Sequence, residues 1–206
     1  MKVLLLNGSP NAQGCTYTAL SEVAGALEKN GIETEFVQIG KKPVSGCIAC
    51  RACAKLGKCV FDDGVNEFVE KAKEADGFVF GSPVYYANAS GQVRSFLDRA
   101  FYSGGKYFAG KPGAAVVSCR RAGSTTAWDE LNKYFTINCM PVVSSQYWNM
   151  VHGNTPEEVK QDLEGLQIMR TLGNNMAWLL KCIAAGKAQG IDFPQREPFI
   201  RTNFIR

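Results

Sequence analysis

The sequence lacks any long hydrophobic run. Its first apolar stretch, Val3 to Leu6, ends at Asn7 and Gly8, whereas a membrane-spanning helix needs roughly 20 apolar residues. A secretory signal peptide also needs a longer apolar region and a small-residue cleavage site, and the N-terminus has neither. We therefore expect a cytoplasmic protein that makes no contact with a membrane.

Dense basic tracts are absent as well. The chain has 23 lysines and arginines against 19 acidic residues, which gives a formal net charge of +4. This charge permits an anionic cofactor but provides no patch of the kind that binds nucleic acid, so we expect no nucleic-acid partner. The single histidine, His152, has no paired acid or nucleophile near it in the sequence and is not assigned acid–base chemistry.

Short apolar runs alternate with amphipathic segments, a pattern typical of a parallel sheet with helices on both faces. We predict strands at 3–6, 33–39, 77–81, 113–118 and 141–145. Helices are predicted at 16–29, 63–75, 90–100 and 125–138, with one long helix or two over 156–186. The result is a doubly wound, three-layer α/β/α domain over 1–190, with a Cys-rich loop at 41–62. An extended tail over 191–206 is expected to pack on a partner subunit.

In such a sheet the ligand lies beyond the carboxyl ends of the strands. The first strand is followed by the loop Gly8-Ser-Pro-Asn-Ala-Gln-Gly14, which opens a helix whose free N–H groups and dipole favour an anion. The loop has neither the Gly-Lys-Ser/Thr of a nucleoside triphosphate site nor Gly-x-Gly-x-x-Gly. It therefore favours one phosphate monoester held by neutral donors. A helix start without a ligand is the alternative.

Two further loops reach the same rim. The third strand leads into Gly81-Ser-Pro-Val-Tyr-Tyr-Ala-Asn88, which has two aromatic residues, and the fourth leads into a loop with Arg120 and Arg121. An isoalloxazine ring needs flat apolar surface and a few polar groups for its edge. The three loops together favour a flavin, and ordinary packing of the tyrosines is the alternative.

These loops resemble those of the NADPH-dependent FMN reductase family, and more closely its iron–sulfur flavoprotein branch, over nearly the whole chain. The resemblance implies a flavodoxin-like, five-stranded parallel sheet of order 2-1-3-4-5, with FMN as cofactor and NAD(P)H as transient co-substrate. It implies a phosphate site of Ser9, Asn11, Gly14, Cys15, Thr16 and Thr18. It implies a ring site of Pro83, Val84, Tyr85 and Tyr86, completed by Ser118, Arg120, Arg121 and Gly123.

Four of the eight cysteines form a C-x2-C-x2-C-x5-C array, namely Cys47, Cys50, Cys53 and Cys59. A reducing cytosol disfavours disulfides, so clustered thiols indicate metal or redox chemistry. Thiolates are the ligands of iron–sulfur centres, and zinc or metal-free thiols remain alternatives. In the branch that the chain resembles, this spacing binds a [4Fe–4S] cluster. The scattered Cys139 and Cys182, like Trp178, are expected to be buried.

The predicted function is that of an FMN-dependent NAD(P)H oxidoreductase, an iron–sulfur flavoprotein that passes electrons from NAD(P)H or a ferredoxin through FMN to a small-molecule or redox-protein acceptor. No side chain is assigned as a catalyst, because the flavin carries the chemistry. One alternative is a cluster-free FMN-dependent reductase of quinones, azo dyes or nitroaromatics. Another is a non-enzymatic, flavodoxin-like electron carrier. We expect a homodimer or homotetramer.

Overall fold

The computed structural model describes residues 1–198, 200 and 202. Its strands are β1 (Lys2–Asn7), β2 (Glu33–Gln38), β3 (Gly77–Tyr85), β4 (Asn88–Ala89), β5 (Gly113–Cys119) and β6 (Met150–His152). Its helices are α1 (Cys15–Lys29), α2 (Cys53–Leu56), α3 (Val65–Glu74), α4 (Gly91–Gly104), α5 (Ser124–Ile137), α6 (Pro156–Val159) and α7 (Leu163–Ala188), and a 3₁₀ turn follows α4 at Gly105–Tyr107.

Five of the strands form a parallel sheet in the order β2-β1-β3-β5-β6, and the short β4 pairs antiparallel with the end of β3. Counted among the parallel strands alone, this is the order 2-1-3-4-5. The predicted flavodoxin-like α/β fold is therefore confirmed, with β4 as an additional strand. The order reverses between β1 and β3, so their carboxyl ends mark the crevice where ligands bind in such sheets.

The central strand β1 explains the three layers. Successive side chains of a strand point to opposite faces, so Leu4 and Leu6 enter one core while Val3 and Leu5 enter the other. The first core is rich in phenylalanine and packs under α3, α4 and α5. The second packs under α1 and α7. Since both faces of β1 are buried, its sequence is a continuous apolar run.

The prediction of a fifth strand at 141–145 is wrong in position. Within that segment only Val142 bridges to Gly113, and the strand itself is β6, beside the end of β5. The intervening chain leaves the sheet because Ser145 Oγ bonds the Tyr147 carbonyl, at 2.5 Å, and Asn149 Oδ1, at 2.8 Å. Serine and asparagine side chains offer the backbone such alternatives to a strand ladder.

The third strand is longer than predicted. The prediction ended it at residue 81, but β3 continues to Tyr85 and Pro83 stays in register with Ser118 of β5. The missing N–H of Pro83 is tolerated where β3 approaches its end. As a result, β3 carries its two tyrosines beyond the edge of the parallel sheet.

Helix α7 buries a stripe that includes Leu172, Met176 and Leu180, four residues apart. Trp178 lies on the opposite side of the helix and is 67% exposed, so the expectation that it is buried is wrong. Cys182, on the same helix, is exposed too, as is Cys139 in the loop after α5. Over the part of the chain that is described, every helix is too short or too polar to cross a bilayer.

The tail of the chain runs along its own domain as far as it is described. Residues 191–198 form no helix or strand, the Phe193 ring lies against Gly110, and the Arg196 guanidinium donates to the Asn138 carbonyl. Residues 199, 201 and 203–206 lie outside the described residues. Packing of this tail on a partner subunit stays a prediction.

The close approach of α1 and α7 provides a stability test. A Cβ at Gly173 of α7 would stand 2.7 Å from the Val23 carbonyl oxygen and from Ala26 Cβ, so Gly173→Ala must push the helices apart. We expect the free energy of unfolding to fall by about 1–3 kcal/mol in a denaturant titration.

Gly25→Ala is the matched control, because a Cβ on this α1 glycine meets nothing within 4 Å. It should raise the free energy of unfolding by about 0.5–1 kcal/mol through helix propensity alone. Equal effects of the two substitutions would contradict the packing of α1 on α7.

Candidate functional site

Two side chains, those of Asn7 and Gln38, hold the loop after β1 in place through hydrogen bonds. Asn7 Oδ1 accepts the Ser9 N–H at 3.1 Å, and Asn7 Nδ2 donates to Gln38 Oε1 at 2.6 Å. Gln38 Nε2 in turn donates to the Ser9 carbonyl at 2.6 Å, while Ser9 Oγ accepts the Asn11 N–H at 3.1 Å. The carbonyls of this loop therefore point inward at amide groups of β1 and β2. Neither Asn7 nor Gln38 was predicted from the sequence as a residue that shapes the loop.

The first loop is joined to β3 and β5. The Gly8 N–H donates to the Gly81 carbonyl at 2.8 Å, and a Cβ at Gly8 would stand 2.7 Å from that oxygen. The hydroxyls of Thr16 and Ser118, both buried, are 2.8 Å apart. Thr16 and Ser118, predicted as site residues in separate loops, are thus in direct contact. Gly8 stands where the backbone of the first loop comes closest to that of β3.

The helices that open at this rim differ in their caps. Both α1 and α5 begin after a glycine, Gly14 and Gly123, with no side-chain cap. By contrast, α4 is capped by Ser90, whose Oγ accepts the Val93 N–H. Uncapped first turns leave N–H donors and the positive end of the helix dipole free for an anion. Thr18, one turn into α1, donates its hydroxyl to the Gly14 carbonyl at 3.2 Å.

Two thiols border these loops. Burial raises the pKa of Cys15 and that of Cys119, so both thiols are held protonated. Protonated, buried thiols are poor nucleophiles and poor ligands. What Cys15 offers an anion is therefore its backbone position at the first residue of α1.

Strands β3 and β4 form a tight hairpin with Tyr86 and Ala87 at its tip. Both tip residues have positive φ, 49° and 60°, which glycine or asparagine usually adopts in a two-residue hairpin turn. Glu130 of α5 anchors the hairpin, because its Oε2 accepts the Ala89 N–H at 3.0 Å. Tyr85 is half exposed and Tyr86 fully exposed. The hairpin therefore presents aromatic surface from a strained backbone.

The loop after β5 meets this hairpin. A Cβ at Gly123, whose φ is +87°, would stand 2.7 Å from Ala87 Cα. The neighbouring Arg120 and Arg121 are exposed, whereas Ser118 is buried beneath them. The loop after β5 therefore supplies two exposed cations to the rim formed by the loops after β1 and β3.

The cysteine array lies around a separate cavity of about 690 Å³. All four thiols of the array line it, together with apolar side chains and Arg99 of α4. Cys47 and Cys50 are exposed, and Cys50 is flanked by two residues with positive φ, Ala49 (54°) and Arg51 (56°). The looping backbone therefore places all four cysteines of the array around one space.

Cys59 is the most firmly held of the four. Asn66 of α3 accepts the Cys59 N–H at 2.9 Å and donates to the Cys59 carbonyl at 3.0 Å. Arg99 Nε donates to Cys59 Sγ at 3.1 Å, and its guanidinium also binds Asp63. The hydrogen bonds from Arg99 hold the pKa of the Asp63 carboxyl below its usual range. Sequence analysis missed Asn66 and Arg99, although an arginine beside the apolar stripe of a predicted helix was a signal.

The shape of the cysteine cavity bears on what it holds. Among the described residues, no group of three or more His, Cys, Asp or Glu side chains is arranged to hold a metal ion. A zinc ion needs its sulfur ligands about 2.3 Å away, which brings the thiolates close together. A cluster of irons and sulfides fills more space and takes its thiolates further apart. The four cysteines around one cavity therefore supply thiols of the kind that either group takes as ligands.

Comparison with known proteins decides the family. Residues 1–155 match the family described as NADPH-dependent FMN reductase. The chain belongs to this family. It is thus an FMN-dependent oxidoreductase by family, as the three loops had indicated.

Relatives narrow the family to a branch. An iron–sulfur flavoprotein of Methanocaldococcus jannaschii is 36% identical over 191 residues, with 89% of this chain and 99% of the relative aligned. An iron–sulfur flavoprotein of Methanosarcina thermophila is 31% identical over 188 residues, with 89% and 97% aligned. The resemblance to the iron–sulfur flavoprotein branch of the FMN reductases is therefore confirmed.

Solved structures agree on the fold. A flavodoxin from the domain Archaea superposes with a TM-score of 0.60 at 16% identity, covering 88% of this chain and 99% of the flavodoxin. The crystal structure of RosB superposes with a TM-score of 0.70 at 17% identity, covering 100% and 92%. At these identities the likeness concerns the flavodoxin-like fold of this FMN reductase family member.

His152 lies outside both the loop rim and the cysteine cavity, and its surroundings differ from those expected. His152, at the end of β6, has a paired acid after all, since its Nδ1 lies 3.6 Å from Asp162 Oδ2. That carboxylate also accepts the backbone N–H of His152. Through Oδ1 it accepts the Gly165 N–H and so caps α7. These bonds give Asp162 a structural role in this flavoprotein, and no catalytic role follows for His152.

Proposed function

We propose that the chain is an iron–sulfur flavoprotein that binds FMN at the rim of its three loops and a [4Fe–4S] cluster at Cys47, Cys50, Cys53 and Cys59. It passes electrons from NAD(P)H or a ferredoxin through FMN to a small-molecule or redox-protein acceptor. The observation that carries the proposal is the arrangement of all four thiols around one cavity in a chain of the FMN reductase family.

The FMN phosphate is assigned to the start of α1. Its proposed ligands are Ser9, Asn11, Gly14, Cys15, Thr16 and Thr18, of which none carries a charge. The uncapped first turn of α1 supports this assignment, because its N–H groups and dipole favour an anion. Asn7 and Gln38 keep the carbonyls of the loop turned inward, and this arrangement lowers their repulsion of a phosphate.

The flavin ring is assigned to the hairpin and the loop after β5. Pro83, Val84, Tyr85 and Tyr86 would flank the ring, and Ser118, Arg120, Arg121 and Gly123 would complete its site. Bound FMN would supply hydride and single-electron chemistry, which no side chain of the chain provides. The chain's own part is to orient the ring on aromatic surface and to exclude water from one of its faces.

The cluster site is supported by charge as well as by the arrangement of the four thiols. Arg51 and Arg99 line the cavity, and the described residues that line it include no carboxylate. Cations near thiolates favour the deprotonated, ligating form of the sulfur, so this segment suits an anionic cluster.

We further propose a homodimer or homotetramer. Several large aromatic side chains stand exposed, among them Tyr86 at the hairpin tip and Trp178 on α7. Exposed aromatic surface of this kind is enriched in protein interfaces. Multi-angle light scattering should give twice or four times the chain mass of 22.5 kDa, and a monomer would contradict the proposal.

The decisive experiment is the visible spectrum of protein purified without oxygen, with iron and acid-labile sulfide assayed on the same sample. We expect flavin bands on a broad iron–sulfur absorption, with iron and sulfide each near about four per chain. Flavin without iron or sulfide would leave a cluster-free FMN reductase. Protein without flavin would overturn the FMN assignment.

Anaerobic stopped-flow mixing then identifies the donor. Rapid bleaching of the flavin band by NADH or NADPH is expected if nicotinamide is the donor. Bleaching by reduced ferredoxin alone would favour an electron carrier that does not accept hydride.

A further inference from the structure

Arg99 is a fully buried cation whose donors are all used. Its side chain is 1% exposed, on the stretch of α4 that faces residues 45–63. Nη1 donates to the Ser45 carbonyl at 3.0 Å and to Asp63 Oδ2 at 2.5 Å, and Nη2 donates to Asp63 Oδ1 at 2.7 Å. The remaining donors reach the Phe61 carbonyl at 3.5 Å and Cys59 Sγ at 3.1 Å. A guanidinium has five N–H groups, so none is left over.

These acceptors enclose the cysteine array. Ser45 precedes Cys47, whereas Phe61 and Asp63 follow Cys59, so one guanidinium joins the two ends of the segment. The Phe61 ring also lies against the guanidinium, 4.8 Å from its carbon. Lysine cannot reproduce this arrangement, since its ammonium is a point charge with three donors on a flexible stem.

Asp63 partly neutralises Arg99 but leaves a directed bond to sulfur. The two Asp63 oxygens occupy one edge of the guanidinium, while Nε points at Cys59. Hydrogen bonds to ligand sulfurs and nearby charge are the means by which proteins tune iron–sulfur potentials. Reduction adds negative charge to a cluster, so a cationic donor at a ligand sulfur stabilises the reduced form more than the oxidised form.

We propose that Arg99 is a positioning residue that holds Cys59 for the cluster and raises the reduction potential of the cluster. Asp63 limits the size of this increase, because it partly neutralises Arg99. This inference rests on the proposed cluster at the four cysteines and goes beyond it, because neither residue is a ligand. It predicts opposite effects of two substitutions. Loss of the bond to sulfur lowers the potential, and loss of the neutralising carboxylate raises it.

The test compares wild type, Arg99→Lys, Asp63→Asn and Lys58→Gln, each purified without oxygen. Iron and sulfide are assayed, and the cluster is titrated by electron paramagnetic resonance at controlled potential. In Arg99→Lys we expect the ratio of reduced to oxidised cluster at a fixed potential to fall by about tenfold, a shift of about 59 mV for one electron. In Asp63→Asn, which keeps the Arg99 bond to Cys59, we expect a shift to more positive potential.

Lys58→Gln is the matched control, because it removes an exposed charge beside Cys59 without removing a bond to the sulfur of Cys59. Solvent screens that charge, so its shift should be much smaller than that of Arg99→Lys. A Lys58→Gln shift as large as that of Arg99→Lys would overturn the inference, as would an unchanged potential in Arg99→Lys. If Arg99→Lys fails to fold, Asp63→Asn decides alone, and a shift that is absent or negative overturns the inference.

Thermal unfolding of the iron-free proteins distinguishes an effect of Arg99 on the reduction potential of the cluster from an effect on the stability of the protein alone. A lower unfolding temperature in Arg99→Lys together with an unchanged potential would make Arg99 merely structural and overturn the inference. Wild-type protein without iron or sulfide would overturn the cluster proposal and this inference together. Wild type with a full cluster and unshifted variants would overturn this inference alone.

Discussion

Replacing Cys59 by serine is expected to abolish the cluster and leave the flavin in place. Serine keeps an oxygen that accepts the Arg99 Nε–H, so the local fold survives, but its hydroxyl is a far poorer ligand for iron than a thiolate. Iron and sulfide should fall from about four per chain to below about one. Flavin absorbance per chain should stay within error of wild type.

The flavin should survive because the two regions lie at different positions along α4. Ser90 caps the helix at the loop rim, whereas Arg99 lies two and a half turns further, about 13 Å along the axis. Cys182→Ser is the control, since Cys182 is exposed on α7 and lies outside the array. It should change neither iron nor flavin. Full iron content in Cys59→Ser would contradict the assignment of Cys59 as a ligand.

Helix α4 links the rim to the cysteine cavity. At its start, Ser90 Oγ donates to the Gly8 carbonyl at 3.1 Å, so it supports the proposed phosphate loop. Two residues on, Gln92 Oε1 accepts the Val44 N–H at 3.1 Å and holds the chain that enters the Cys-rich segment. Arg99 then joins the two ends of that segment, because it donates to the Ser45 carbonyl and to Asp63. Because one rigid helix carries all three contacts, the position of the cysteines relative to the rim is fixed by the fold.

The sequence predicts the layers of this fold well because its signals are local. The buried run Val3 to Leu6 and the turn-bounded run at 113–118 each fill a strand between two cores, so their apolar pattern suffices. The fifth strand was misplaced because Val142 and Val143 look like a strand start, and the Ser145 and Asn149 side chains then turn the chain out of the sheet. Such side-chain bonds leave no periodic pattern.

The candidate sites were predictable in their loops but not in their supports. The proposed phosphate loop and the four cysteines each stand in a compact motif, so the sequence alone indicates them. Asn7, Gln38 and Arg99 act through partners far along the chain, such as Cys59 for Arg99, and only the sheet order and helix packing bring them together. Long-range polar contacts of this kind depend on topology, which composition and spacing do not encode.

The second large effect is expected from Gly123→Ala, which should weaken FMN binding at least tenfold, or about 1.4 kcal/mol. Gly123 has φ +87°, where alanine costs about 1–2 kcal/mol. Its Cβ would also stand 2.7 Å from Ala87 Cα, so the loop after β5 and the hairpin must separate. Because the flavin ring is proposed to rest on surface that these two touching loops form together, their separation should weaken its binding. Fluorescence titration of the apoprotein with FMN measures the affinity.

Gly31→Ala separates backbone strain from loop separation. Gly31 has a similar φ of +77°, but a Cβ there meets nothing within 4 Å, and it follows α1 at the end remote from the rim. Gly31→Ala should lower the free energy of unfolding by about 1–2 kcal/mol, because alanine is strained in the left-handed backbone conformation. It should not change the FMN affinity. If both variants lose affinity equally, global destabilisation explains the loss. If Gly123→Ala binds FMN as wild type does, the contact between Ala87 and Gly123 is not part of the flavin site.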